Sequence, residues 1–395
     1  MIQPVQTLSE PLTPARRAAI APFIAMDVKR EAGLMEQAGA QIVHMEVGEP
    51  CAPPPRRVRE AAIAALGGQP VGYTDALGLL SLRARIARHY REVHGVALDP
   101  QRVAVTTGSS GGFIMAFLAL FDAGARVAIQ NPGYPAYRNI FGALGIEAVN
   151  LPVDASNGFA VTAAAVEKAD AAQKLDGLLL MSPANPTGVS QSAESLREIT
   201  ETCARRGIKF ISDEIYHGLT YDEPAQTALA FSDRAVIVNS FSKYYCMTGW
   251  RIGWLVVPPE LVRTVERLQQ SLAISAPTLS QIAAEAAFDA TDELEIVKAG
   301  YRRNREILLN GLPGLGFDRL APADGAFYIY ADVSRFTADS TAFCHDLLHR
   351  GGIAATPGVD FDPTRGHLAL RLSYAGAEAD MVLALKRMKG FLASR

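Results

Sequence analysis

From about residue 100 the chain alternates short unbroken apolar runs with longer stretches in which apolar residues return every three or four positions. The runs are "RVAVTTGSS", "RVAIQNPGY", "GLLLMSPANP", "IKFISDEIY", "AVIVNSFSK" and "IGWLVVPP". Unbroken apolar runs with helical patterns between several of them predict strands covered on both faces, and so a mostly parallel sheet in an α/β fold with helices on either side. The helical pattern is clearest in "SAESLREITETCARRG", where a serine opens the helix, Leu196, Ile199 and Cys203 fall on one face, and Gly207 stops it. Each run leads into a polar cluster at its C-terminal end, the edge of an open α/β sheet where ligands bind.

The two ends of the chain read differently. A helical pattern over roughly residues 26–36 is followed by "QIVHMEVGEP", a short strand closing in a Gly and Pro turn, and by "LLSLRARIARHYREVHG", an amphipathic helix stopped by Gly95. Beyond about residue 290 helices alternate with short strands again, in "GAFYIYADV" and "HLALRLSYA". The change of pattern at both ends predicts that residues 1–52, with an N-terminal arm, and 290–395 pack together as a smaller α/β domain beside a large domain over 53–289. No fixed-period repeat or low-complexity segment competes with this reading.

Charge narrows the class of partner. The 395 residues carry 38 Lys and Arg against 41 Asp and Glu, a formal net of -3, with no basic run that could follow a phosphate backbone, so nucleic acid is not expected. No apolar stretch is long enough to span a membrane, and "MIQPVQTLSEPLTPARRAAI" lacks the charged, apolar and small-residue order of a signal peptide, so the expectation is a soluble cytoplasmic protein. Cys51, Cys203, Cys246 and Cys344 lack CxxC spacing and read as small hydrophobes. His345 and His349, at helical i, i+4 spacing, read as a helix face, and no metal is expected.

"SFSKYYCMTGWRIGW", residues 240–254, sets Lys243 and Arg251 among Tyr, Met, Trp and Ile. Lys243 could snorkel to water, or it could be an amine nucleophile held in an apolar pocket. The other strand ends decide between the two. Gly108, Ser109 and Ser110 leave a strand to open a helix, offering backbone N–H groups and hydroxyls to a phosphate. Ser240 and Arg251 add further donors and a fixed positive charge. Tyr134 can stack on a flat ring, and Asp213 ends an apolar run, where a carboxylate needs a positive partner such as a protonated ring nitrogen. Asn185 and Tyr216 offer donors to a ring oxygen, and Lys243 offers an amine to an aldehyde. Together these match the groups that pyridoxal phosphate presents. A nicotinamide cofactor would instead want a GxGxxG turn, which follows none of the predicted strands.

"GYTDALGLLSLR", "NPGYPAY", "SPANPTG", "SDEIY" and "SFSKYYCMTGWRIGW", in this order, resemble the landmarks of the class I and II pyridoxal phosphate-dependent aminotransferases of fold type I, over roughly residues 20–390. The resemblance implies Lys243 as the aldimine lysine and proton shuttle, Asp213 on the pyridine nitrogen, and Asn185 and Tyr216 on the ring hydroxyl. It implies Ser109, Ser110, Ser240 and Arg251 as phosphate ligands and Tyr134 as the stacking aromatic. Tyr73 matches the tyrosine that reaches the phosphate from the neighbouring subunit, which implies a homodimer with shared sites. Arg371, in "LALRLSYA", matches the arginine that clamps the substrate α-carboxylate, with the backbone at Gly48 and the side chain of Asn185 nearby. Cys246 stands where the family usually has glycine, alanine or serine; a thiol is small enough to alter packing without loss of function.

The activity so implied is transfer of an amino group from an L-amino acid to a 2-oxo acid, 2-oxoglutarate or pyruvate, in a ping-pong sequence through Lys243. A C–S β-lyase or a cyclising lyase of the same fold could use the same cofactor cage. A cofactor-sensing regulator would carry a DNA-binding domain in front, and residues 1–30 are too few for one. Arg371 accepts any α-carboxylate, and no second arginine is identifiable for a side-chain carboxylate. The apolar segment "IAPFIAM", residues 20–26, could lie over the site and favour hydrophobic or aromatic donors, or could be an arm packed on a partner subunit.

Overall fold

The apolar runs become the central strands of the molecule, seen in a computed structural model that describes residues 12–68 and 70–395. Residues 1–11 of the expected N-terminal arm lie outside the described residues. Strands are numbered in chain order: β1 (Val43–His44), β2 (Val103–Thr106), β3 (Arg126–Asn131), β4 (Glu147–Pro152), β5 (Gly177–Met181) and β6 (Lys209–Asp213). Then follow β7 (Val236–Ser240), β8 (Gly253–Val256), β9 (Tyr328–Asp332), β10 (Ile353–Ala354), β11 (Thr356–Pro357) and β12 (Ala369–Ser373).

Seven strands form one sheet in the order β2-β8-β7-β6-β5-β3-β4. The pairs β3 with β4, β3 with β5, β5 with β6 and β6 with β7 are parallel, whereas β8 runs antiparallel to both β2 and β7. The expectation of a mostly parallel sheet holds, and β8 is its exception. Residues 241–252 between β7 and β8 form no α-helix to cross over the sheet, only a 3₁₀ turn at Thr248–Trp250, and the chain doubles back. That short return carries Lys243 and Arg251.

Side chains alternate across the sheet and feed two cores. On β5, Leu179 and Met181 join Phe113, Phe117 and Phe141 on one face, while Leu178 and Leu180 join Ile199, Ile237 and Trp254 on the other. The helix Ala193–Arg206 forms where its pattern predicted. The Ser192 hydroxyl accepts the Ser195 N–H at 3.1 Å, and Gly207 ends the helix at φ +66, in the left-handed region that glycine adopts without strain.

The remaining strands lie apart from the large sheet. β11, β12 and β9 make a three-stranded antiparallel sheet, and β1 pairs parallel with β10, joining Val43 to Ile353. The first long helix runs Ile24–Gln37, two residues earlier than its pattern suggested. Its N-cap, Phe23, has no capping side chain; the Asp360 carboxylate accepts the N–H groups of Ile24 and Ala25 at 3.2 and 3.3 Å instead. Among the described residues no helix is long and apolar enough to cross a membrane.

Candidate active site

The C-terminal ends of β2, β3, β5, β6 and β7 open on one cavity of about 390 Å³, closed on its far side by Gly48, Tyr328 and Arg371. Ser109, Ser110, Tyr134, Asn185, Asp213, Tyr216, Lys243 and Arg251 all line it. Because the four strands from β3 to β7 are parallel, side chains far apart in sequence leave the sheet at one edge.

Lys243 is half-buried, and its Nζ donates to the Gly48 carbonyl at 2.6 Å. Its pKa is lowered to about 8, first because burial disfavours the charged amine and then because Arg371 repels it; Glu49 pulls the other way, ahead of the weaker effects of Arg251 and Asp213. An amine that loses its proton so near neutrality is a competent nucleophile. Its side chain lines the cavity beside Asp213 and Arg251.

Asp213 ends β6 with 1 % of its surface exposed. Its Oδ1 accepts the Ile215 N–H at 3.1 Å and its Oδ2 accepts the hydroxyl of Tyr137. Burial raises its pKa to about 7, against the lowering effect of those two donors and of Lys243. A carboxylate so costly to ionise is ready for a cationic partner inside the cavity. Tyr137 was not singled out in the sequence, although it stands one turn after Tyr134 in "NPGYPAY".

Gly108 starts the helix Gly108–Leu120, whose first-turn N–H groups have no partners within the helix. It sits at φ +68, and a Cβ there would come within 2.6 Å of the Arg251 guanidinium. Glycine thus lets an arginine and a helix N-terminus converge on one corner of the cavity, an arrangement that suits a phosphate. Arg251 itself adopts φ +50, held by its Nη1 donating to the Thr248 carbonyl at 2.9 Å. Ser240 stands behind the wall, its Oγ 2.9 Å from Ser242 Oγ and 3.0 Å from the Ile252 carbonyl. Ser242 and Thr248 present the hydroxyls that line the cavity on this side. Cys246 has φ +55, so the conformation there, more than side-chain size, is what favours glycine.

Arg371 occupies the middle of β12 with 2 % exposure, its guanidinium 4.5 Å from the Tyr328 ring centre and 4.7 Å from that of Phe361. Nη1 donates to Asn185 Oδ1 at 2.9 Å and Nη2 donates to the Glu46 carbonyl, but Nε, also buried, has no acceptor among the described residues. A buried fixed cation lining a cavity suits an anion such as a carboxylate. With its Oδ1 engaged, Asn185 can offer a ligand its amide N–H group. The Tyr216 and Tyr328 hydroxyls share a hydrogen bond of 2.6 Å. Gly48 has no space for a side chain, because a Cβ would collide with the Tyr328 hydroxyl.

Phe23, Ala25 and Met26 complete the wall, with the Phe23 ring edge-on to Tyr134 at 5.9 Å. The segment 20–26 therefore reaches the site within its own chain. At the rim Lys29 pairs with Glu49 at 3.2 Å. Tyr73, 82 % exposed, lies outside this wall. The donors, carboxylate and lysine fit the phosphate, ring nitrogen and aldehyde of pyridoxal phosphate, and Arg371 remains for a substrate.

The model of the family described as aminotransferase class I and II matches residues 40–388. The chain is 49 % identical over 385 residues to the valine–pyruvate aminotransferase of Mycobacterium tuberculosis, covering 96 % of this chain and 99 % of that protein. The crystal structure of an aminotransferase from Mycobacterium tuberculosis superposes with a TM-score of 0.95 at 48 % identity, covering 98 % of this chain and 100 % of that one. The aspartate aminotransferase of Thermus thermophilus with maleate superposes with a TM-score of 0.91 at 29 % identity, over 96 % of this chain and 100 % of that one.

Proposed function

The chain belongs to the class I and II aminotransferase family, and from that premise we propose that it moves the amino group of an L-amino acid with a small apolar side chain, such as valine, to pyruvate, which leaves as L-alanine. Aminotransferase activity and dependence on pyridoxal phosphate come with the family; the donor and acceptor are our reading. The observation that carries it is the wall built from Phe23, Ala25, Met26, Val47 and Tyr134. An apolar side chain gains by leaving water for such a wall. A second substrate carboxylate would find Lys29 already paired with Glu49 and Arg251 drawn to the phosphate corner. The similarity to a valine–pyruvate aminotransferase supports the same choice.

In this reading the bound cofactor supplies a ring that accepts the electron pair left at the substrate Cα. Ser109, Ser110, Ser242 and Arg251 would hold its phosphate, Tyr134 would lie against its ring, and Asn185 and Tyr216 would donate to its hydroxyl. Asp213 keeps its nitrogen protonated, because a buried carboxylate is least costly opposite a positive charge. Arg371 takes the substrate α-carboxylate as a fork and turns the Cα–H bond toward Lys243. Lys243 would hold the cofactor by its aldehyde and, once displaced by the donor's amine, its free Nζ would take up the proton from Cα. The donor's 2-oxo acid leaves before the acceptor enters the same pocket, so the sequence is ping-pong.

The same proposal includes a division into residues 53–289, which contain the seven-stranded sheet, and 1–52 with 290–395, a cytoplasmic location, and a homodimer in which Tyr73 reaches the neighbouring site. Tyr73's exposure away from its own cavity supports the last of these.

The test is the visible spectrum of the purified holoenzyme with single L-amino acids and no 2-oxo acid. L-valine and L-alanine are expected to convert the cofactor to its amine form while L-aspartate does so at least tenfold more slowly, and pyruvate should restore the starting spectrum. Conversion by aspartate as fast as by valine would overturn the donor assignment, and full turnover without any 2-oxo acid would favour a lyase.

A further inference from the structure

His345 and His349 share one face of the helix Ser340–Gly351, and the fold adds what their spacing could not show. Glu31, from the helix Ile24–Gln37, stands against them, its Oε1 2.8 Å from His349 Nε2. One ligand atom from each of the three residues lies within 4.8 Å of the others. We propose that Glu31, His345 and His349 form a site for a divalent transition-metal ion of the zinc type, joining these two helices.

Two imidazoles and a carboxylate are a frequent donor set for zinc, with bonds of about 2.0–2.2 Å, so donors around one ion stand roughly 3.3 Å apart. Closing from 4.8 Å asks only for side-chain rotation. The three side chains keep 44, 59 and 38 % of their surface open, so they turn without disturbing a core. Their backbones are held: Ala32 of one helix and Leu348 of the other are buried together with Ala354, and Val28, Met35 and Ile42 pack around them. Asp346 Oδ1, 3.9 Å from His345 Nδ1, adds negative charge beside the site. The site takes a borderline metal that accepts nitrogen; calcium and magnesium, which want all-oxygen shells, are rejected.

The helix so fastened is the one that supplies Ala25, Met26 and Lys29 to the cavity wall. An ion there would fix the roof of the substrate pocket from its outer side, while its ligands touch neither cofactor nor substrate.

The test uses holoenzyme freed of metal with a chelator and titrated with zinc chloride in a calorimeter. One ion per chain with micromolar affinity is expected for the unaltered protein. Affinity should fall at least tenfold in His345→Gln and in His349→Gln, and Glu31→Gln should weaken it by a similar factor. Zinc should raise the melting temperature of the unaltered protein and leave that of the histidine variants where it was. No binding, or binding and stabilisation undiminished in both histidine variants, would overturn the site. All three variants change exposed side chains, so their folding without metal serves as an internal control.

Discussion

Lys243 and Asp213 face each other across the cavity with their charges opposed by burial, and each titrates near neutrality for that reason. In the cofactor-free chain the rate at which pyridoxal phosphate reacts with Lys243 should climb with pH and level off above about 8, where the amine is neutral; a rate still climbing at pH 10 would mean an ordinary exposed lysine. The same depression has a consequence for stability. Between about 8 and 10.5 the unfolded chain binds the proton that the folded one has lost, so this group adds stability to the cofactor-free protein as pH rises through that window. Tyr137 acts on Asp213 from outside the ring. Tyr137→Phe removes a hydrogen bond to a charged group, worth about 1.5–3 kcal/mol, and should lower kcat for valine roughly tenfold or more while leaving KM nearly unchanged. Equal kcat in variant and parent would reduce Tyr137 to a packing residue. Asp213 was legible because a carboxylate ending an apolar run stands out. Tyr137 was not, since a tyrosine in the first turn of a helix reads as core until its partner, distant along the chain, is placed beside it.

Elements differ in how locally their ends are written. The helix Ala193–Arg206 carries its own start and stop in Ser192 and Gly207, and both signals were readable. Ser192→Ala should cost about 1 kcal/mol, measured as a lower midpoint in urea with unchanged slope; no shift would mean that tertiary packing alone sets this helix end. The helix Ile24–Gln37 is the contrary case, because its first N–H groups are satisfied by Asp360 from the far end of the chain. Strand β8 was recognisable as a strand, but its direction follows from the return before it, which forms no crossover helix. Ser240 was expected at the phosphate, and the same return turns it inward and brings Ser242 to the wall.

At the scale of the whole molecule, the proposed homodimer predicts that Tyr73 serves the neighbouring chain's site. Hybrid dimers of Lys243→Ala with Tyr73→Ala test this. If Tyr73 serves the neighbouring site, each hybrid holds one site with both changes and one with neither, and activity should reappear on mixing and reassembly. If each chain uses its own Tyr73, every site carries one defect and activity stays lost. The sequence by itself determined the class of fold and the cofactor, and it singled out most of the residues that line the cavity, because strand periodicity, turn residues and a lysine among apolar neighbours are local patterns. Tertiary structure alone decided that Arg371 lies between two aromatic rings with an unused donor, that Tyr137 holds Asp213, that Phe23 closes the pocket and that Glu31 meets two histidines. Those are contacts between residues remote in the chain, and no local pattern encodes which of them the packing will bring together.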